Sequence, residues 1–288
     1  MAALMAAFLP VAMMVLMLAL GLRLAPGALV AAVRTPRALG AGLALQLVAL
    51  PVLAFCLARG FGLSAPLSAG LMLVAASPGG VSSNYITHLA RGSVALSVTM
   101  TLVTSLLAPL SLPLVLALSG VAAPHSAALW RISLGMSAVA LVPLALGMAV
   151  GRFAPALAAR ASRLLDPLAR GLFALMVGAT FVQNWGAMRA GFAGAGPAVI
   201  ALAVLAPAMA LGAARALRLG AAAGRTIAIE ISLQNVAITI FVAGKLLGAP
   251  ELAIPGLIYA VMMNIVALGF ILSAPAPEPA PAPDPAPR

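Results

Sequence analysis

An all-α polytopic membrane protein is the fold this 288-residue sequence predicts, on three observations. Apolar residues make up 64% of the chain and charged ones 7%, with a mean hydropathy of +1.18, whereas ordinary soluble domains carry about 25% charged residues. Apolar stretches near the ~20 residues that a spanning helix needs recur from one end to the other. Two of these stretches are interrupted by polar residues, at Ser77-Pro78-Gly79-Gly80-Val81-Ser82-Ser83-Asn84 and at Glu230-Ile231-Ser232-Leu233-Gln234-Asn235.

Nine segments follow in order, at about 3 to 22, 38 to 58, 66 to 90, 93 to 119, 127 to 150, 166 to 185, 196 to 217, 225 to 246 and 252 to 273. The first lacks a basic leading region and runs into Leu22-Arg23-Leu24 rather than a small-residue cleavage site, so it reads as a mature helix and not a signal peptide. The second holds a lone amide, Gln46, and the single cysteine, Cys56, which excludes an intramolecular disulfide. The third is broken at Pro78-Gly79-Gly80, with His88 and Arg91 as a solvated helix end. In the fourth, Ser93, Ser97, Thr101, Thr104 and Ser105 recur every three or four residues and form one face. That face is either packing and carbonyl-bonding hydroxyls or a stripe of oxygen donors turned toward the first break. The eighth is broken after Glu230, and the ninth carries Asn264. Trp130, Trp185 and Tyr259 read as interfacial or packing aromatics. Residues 274 to 288 alternate Pro with Ala and acidic residues and predict a disordered, polyproline-like tail.

The net charge of +11 does not predict nucleic-acid binding, because the 16 basic residues are spread over loops rather than gathered on one face. Nine crossings put Arg59, Arg131, Arg189 and Lys245 on one side and the other twelve on the opposite side. Basic residues stay cytoplasmic, which predicts an outside N-terminus and a cytoplasmic C-terminus. An even number of helices would scramble this asymmetry.

A broken helix frees backbone groups that hydrocarbon cannot satisfy, so breaks survive only where protein buries them or they line a wet cavity. Breaks in both halves point to a transport site near the bilayer midplane. Glu230 is the most expensive residue in the chain, since a central acidic side chain costs about 2.5 to 3.5 kcal/mol on insertion scales. Three compensations are open: protonation, pairing with Arg225 some ~7.5 Å away along a helix, or a bound cation. Hydroxyls, amides, a carboxylate and freed carbonyls suit a hard cation, and no His or Cys cluster suggests zinc or copper. An intramembrane hydrolase is disfavoured, because Gly80-Val81-Ser82-Ser83-Asn84 departs from G-x-S-x-G and no H-E-x-x-H is present. No enzyme is expected.

Ser77-Pro78-Gly79-Gly80, Ser83-Asn84, Leu89-Ala90-Arg91-Gly92 and Val94-Ala95-Leu96-Ser97 resemble the signature of the bile acid:sodium symporters, and Glu230 with Gln234-Asn235 resembles its second signature. The likeness runs from the first predicted helix to the last. It implies a single transmembrane domain over 1 to 273, built from inverted repeats with two discontinuous crossing helices. A panel of helices one, five and six (about 1 to 24 and 127 to 190) would support a core of helices two to four and seven to nine (about 38 to 119 and 196 to 273). The chain looks like the nine-helix form that lacks the first helix of the first repeat, in agreement with the charge-derived orientation.

Carried over position by position, the resemblance implies one sodium site of Ser83, Asn84, Ser97, Thr101 and Glu230. A second would use Gln46, Glu230, Gln234 and the backbone carbonyls of Ile231 and Leu233. Asn235 and Asn264 would contact an organic anion between panel and core. Where some bacterial relatives carry a His before the last-helix Asn, this chain has Met263, which favours a small carboxylate such as pantoate or a 2-keto acid over a bile-acid-like steroid. The Ala- and Arg-rich, Lys-poor composition suggests a GC-rich bacterium and hence its inner membrane. The expected function is Na+-coupled symport of an organic anion across the lipid bilayer by alternating access. Two alternatives keep the same residues: a proton-coupled or exporting anion carrier, and an anion sensor or scaffold that does not transport.

Overall fold

The computed structural model describes residues 2–23, 36–119, 134–183 and 185–275. Residues 127 to 133 of the fifth predicted segment, Arg34, Trp130, Arg131 and the predicted tail from 276 onward lie outside them. The described residues form eleven helices: α1 (Ala2–Arg23), α2 (Pro36–Gly60), α3 (Ala65–Ala76), α4 (Val81–Leu89), α5 (Val94–Ser119), α6 (Leu134–Phe153), α7 (Pro155–Gln183), α8 (Trp185–Ala216), α9 (Ala221–Ser232), α10 (Val236–Leu246) and α11 (Pro250–Leu272). Five of them, α2, α5, α6, α8 and α11, contain stretches long and apolar enough to cross a membrane. The all-helical, membrane-type fold is therefore as the composition predicts. Eleven helices stand against nine predicted segments because the third and eighth are each divided in two. The sequence also misjudged two boundaries, since α7 begins at Pro155 rather than near 166 and α8 at Trp185 rather than near 196.

Local chemistry explains the divisions. Pro78 bars the α conformation for the residue before it, and Ser77 is extended at φ −67°, ψ 148°. Gly80 continues the extended path at φ −77°, ψ 149° until α4 begins. The second break contains neither Pro nor Gly: Leu233 and Asn235 leave the helix at ψ 84° and 79°, and the Asn235 side chain caps α10 by accepting from the Ile238 amide. Two π-turns, Leu45–Ala49 and Ser137–Leu141, each end two residues before an intrahelical proline, Pro51 and Pro143. A proline removes one i→i−4 bond and crowds that carbonyl, and the wider turn relieves both effects.

The helices pack in two groups. In the first, α1 lies against α6 and α7. In the second, α8 lies against α9 and α11, α3 against α2, α5 and α11, and α4 against α5 and α9. Helix α10 is approached by α1 and α7 from the first group and by α11 from the second. The α1–α6 contact is glycine on glycine. A Cβ at Gly147 would stand 2.5 Å from the Leu18 carbonyl oxygen and 2.7 Å from the Leu22 amide, and one at Gly21 would overlap the Leu144 carbonyl.

This close approach predicts that Gly147→Leu destabilises the protein by about 1–3 kcal/mol through overpacking. The check is the thermal unfolding midpoint in detergent. Gly40→Ala on α2, where nothing lies within 4 Å, should leave the midpoint unchanged or raise it, because alanine is the better helix former by about 0.5–1 kcal/mol. Equal shifts from both substitutions would refute the close-packing account.

Candidate cation and anion site at the helix crossing

The two breaks meet. Gly79 and Gln234 form an isolated antiparallel bridge, in which the Gly80 amide donates to the Leu233 carbonyl at 2.6 Å and the Asn235 amide to the Pro78 carbonyl at 2.9 Å. Space is tight at both glycines of the first break. A Cβ at Gly79 would overlap Glu230 Oε1, and one at Gly80 would stand 3.1 Å from the Leu233 carbonyl oxygen.

Glu230 lies in the last turn of α9 and is fully buried. Ser97 donates to its Oε2 at 2.7 Å, and Thr101 donates to its Oε1. Ser83 Oγ is 3.5 Å from Thr101 Oγ1, and Asn84 Oδ1 is 2.9 Å from Ser97 Oγ. Ser83, Asn84, Ser97, Thr101 and Glu230 thus form one connected cluster drawn from α4, α5 and α9. A serine has one hydroxyl hydrogen. Given to the carboxylate, it leaves Ser97 Oγ and Asn84 Oδ1 presenting lone pairs to each other, an arrangement that a cation or a turned amide relieves. Arg225 does not serve the carboxylate: its Nη1 donates to the Ala90 carbonyl at 3.1 Å, and among the described residues no basic side chain pairs with Glu230.

Gln46 sits in the first π-turn and is 2% exposed. Its Nε2 donates to the Ser77 carbonyl at 3.1 Å and to Gln234 Oε1 at 3.0 Å. Gln234 Nε2 in turn donates to the Ile231 carbonyl at 2.6 Å. Gln46 Oε1 is buried with no hydrogen-bond partner, and an unpaired buried acceptor normally costs about 1–3 kcal/mol. The donor set is hydroxyl, amide, carboxylate and carbonyl oxygen, and the described residues hold no group of three His, Cys, Asp or Glu. That chemistry fits a hard cation rather than zinc or copper.

Two side chains at the crossing and one beside it were not read from the sequence as parts of the site. Tyr259 takes the packing rather than the interfacial alternative: it is fully buried and donates to the Ser232 carbonyl at 2.9 Å, satisfying a group that the second break frees. The available signal was a phenol in mid-helix, which needs a partner for its hydroxyl when buried. Thr239 Oγ1 lies 2.9 Å from Ser77 Oγ and ties α10 to the first break. Asp166 lines the neighbouring cavity. Within the hydroxyl stripe, Thr104 Oγ1 accepts from the Gly79 amide at 3.4 Å, whereas Ser105 Oγ is buried without a partner.

That cavity, of about 420 Å³, lies beside the crossing and is lined from α1, α4, α7, α10 and α11. Asn235 and Met263 line it. Asn235 is 6% exposed and its Nδ2 has no acceptor. Asn264 lies off the cavity wall, is exposed and turns its Nδ2 back to the Ala260 carbonyl at 2.6 Å.

The profile of the Sodium Bile acid symporter family matches residues 10–189. The Arabidopsis thaliana protein named "Probable sodium/metabolite cotransporter BASS1, chloroplastic" is 31% identical over 265 residues, covering 91% of this chain and 65% of its own length. The rice protein named "Probable sodium/metabolite cotransporter BASS2, chloroplastic" (Oryza sativa subsp. japonica) is 31% identical over 254 residues, covering 87% and 59%. The Bacillus subtilis "Uncharacterized sodium-dependent transporter YocS" is 39% identical over 104 residues, covering 36% of this chain and 32% of its own length. The chain spans 59% to 65% of the length of the two plant relatives.

Removing the Tyr259 hydroxyl should leave the Ser232 carbonyl unsatisfied at the crossing. Tyr259→Phe keeps the ring and should cost about 1–3 kcal/mol, read as a lower unfolding midpoint. Tyr85→Phe, at an exposed position, should leave the midpoint within measurement error. No loss in Tyr259→Phe would show that another group takes over that carbonyl.

Proposed function

This chain belongs to the sodium bile acid symporter family, and from that premise we propose that it is a sodium-coupled symporter of a small organic anion, working by alternating access. The observation that carries the reading is Glu230: a fully buried carboxylate met by Ser97 and Thr101 hydroxyls, with no basic partner among the described residues. A charge so placed needs an opposite charge or a proton. One sodium site consists of Ser83, Asn84, Ser97, Thr101 and Glu230, and the second of Gln46, Glu230, Gln234 and the carbonyls of Ile231 and Leu233. The unpartnered Gln46 Oε1 favours metal over proton coupling, because a proton on Glu230 leaves that acceptor unmatched while a second cation matches it.

The anion occupies the cavity beside the crossing, with Asn235 as its polar contact and Met263 in the wall. With each broken pair counted as one crossing, the eleven helices make nine, entering from outside and ending in the cytoplasm, in a bacterial inner membrane. The group of α1, α6 and α7 acts as the panel, and the rest acts as the moving core. Two sodium ions with one monovalent anion carry one net charge inward, worth ~2.3 kcal/mol per 100 mV, so uptake is electrogenic.

Glu230→Gln tests the assignment. The wild-type chain should show a rise in unfolding midpoint with sodium, since a ligand of the folded state stabilises it, and sodium-driven carboxylate uptake in vesicles. The variant should insert normally and lose both. Uptake that persists without sodium under a pH gradient would replace the reading with proton coupling. Unchanged sodium-driven uptake in the variant would remove Glu230 from the site.

A further inference from the structure

The cavity has a charged lining residue that the proposed function leaves unused. Part of its wall is the start of α10, where Asn235 is 6% exposed and its Nδ2 has no acceptor. A helix N-terminus and a free amide donor together suit a carboxylate. Another part is Asp166 of α7, and among the described residues that line the cavity it alone is charged and none is basic. The rest of the lining is mostly apolar, including Leu16, Leu20, Val236 and Met263, with Ser82, Tyr85 and Gln234 as further polar residues.

An ionised carboxylate only accepts hydrogen bonds, and it offers about four lone-pair sites. Asp166 therefore takes a donor from a ligand even while it holds a partner within the protein. The same group has nothing to give a ketone oxygen. A 2-keto acid satisfies Asn235 and meets Asp166 with acceptors alone. An acid that also carries a hydroxyl or ammonium group matches both residues.

Resting on the anion-carrying reading of this cavity, we propose that its preferred substrates are organic acids bearing a hydrogen-bond donor beside an apolar body, and that Asp166 is the residue that selects for the donor. The ligand would then span α10 on one side and α7 on the other, touching both packing groups at once.

The test is binding of three acids with one branched skeleton, 2-keto-3-methylbutanoate, 2-hydroxy-3-methylbutanoate and valine, to the purified full chain in saturating sodium. At least one donor-bearing acid should bind about tenfold more tightly than the keto acid; whether the hydroxy acid or valine leads identifies the donor as hydroxyl or ammonium. In Asp166→Ala the advantage should fall to within about twofold, with keto-acid binding unchanged or stronger. The wild-type ranking stands as a test even if that variant folds poorly. Keto acid binding as tightly as both others, or a preference that survives in Asp166→Ala, overturns the proposal. Sodium stabilisation with none of the three acids bound overturns it as well, while absence of any sodium stabilisation identifies the failure as that of the symporter reading itself.

Discussion

Two interrupted helices in an apolar setting must satisfy each other's backbone, and much of the site follows from that constraint. Hydrocarbon offers no partners to freed amides and carbonyls. The structure supplies them reciprocally, Gly80 to Leu233 and Asn235 to Pro78. This pairing brings backbone against backbone, and little room is left for a side chain at Gly79 or Gly80. It leaves carbonyls at Ser77, Ile231 and Ser232, which are taken by Gln46, Gln234 and Tyr259 respectively. Most polar side chains at the crossing therefore already have a backbone duty. The atoms left over, Gln46 Oε1 and Asn235 Nδ2, are the ones with capacity to spare for a ligand.

The crossing also sorts charge by helix direction. Helices α3 and α9 end there, so their C-termini bring partial negative charge, while α4 and α10 begin there and bring partial positive charge. Glu230 sits in the last turn of α9, where the dipole makes a carboxylate less favourable still. Carbonyl ends, Glu230 and the Gln46 oxygen make one flank suited to cations. The starts of α4 and α10, through Gly80, Ser82 and Asn235, line the cavity on the other flank and suit an anion. On the proposed reading, opposite charges would thus be held close without competing for the same donors.

The sequence made the first break legible because Pro78, Gly79 and Gly80 act locally on the backbone. It made the second legible only through the oddity of Glu230, Gln234 and Asn235 in an oily run, since no residue there forbids a helix. That break is held by its partner, a non-local cause. The same limit applies to Gln46, which reads as packing glue or a ligand until the chain brings it to Gln234, 188 positions away. Asn264 looked equivalent to Asn235 by type and depth, yet its register on α11 turns it off the cavity, while Met263 faces in. Asp166 reads as the edge of a segment because charge marks boundaries in hydropathy. In the structure it lies within α7, which starts eleven residues earlier at Pro155.

The origin of the ligands bears on the order of events. All the side chains proposed for sodium come from α2, α4, α5, α9 and the second break, within one packing group, so on the proposed reading the cations would organise that group internally. The cavity instead joins α1 and α7 of the other group to α4, α10 and α11. Gln234 belongs to both sets: its side chain is bonded to Gln46 and to the Ile231 carbonyl, while the residue lines the cavity next to Asn235. A cation that fixes Gln234 therefore fixes the wall against which the anion rests, and the gain must be reciprocal, because two ligands that share one element of structure each raise the other's affinity by the same factor. On the proposed reading, sodium alone would tighten the core, and the anion would add the contact between the two groups on which a change of access depends.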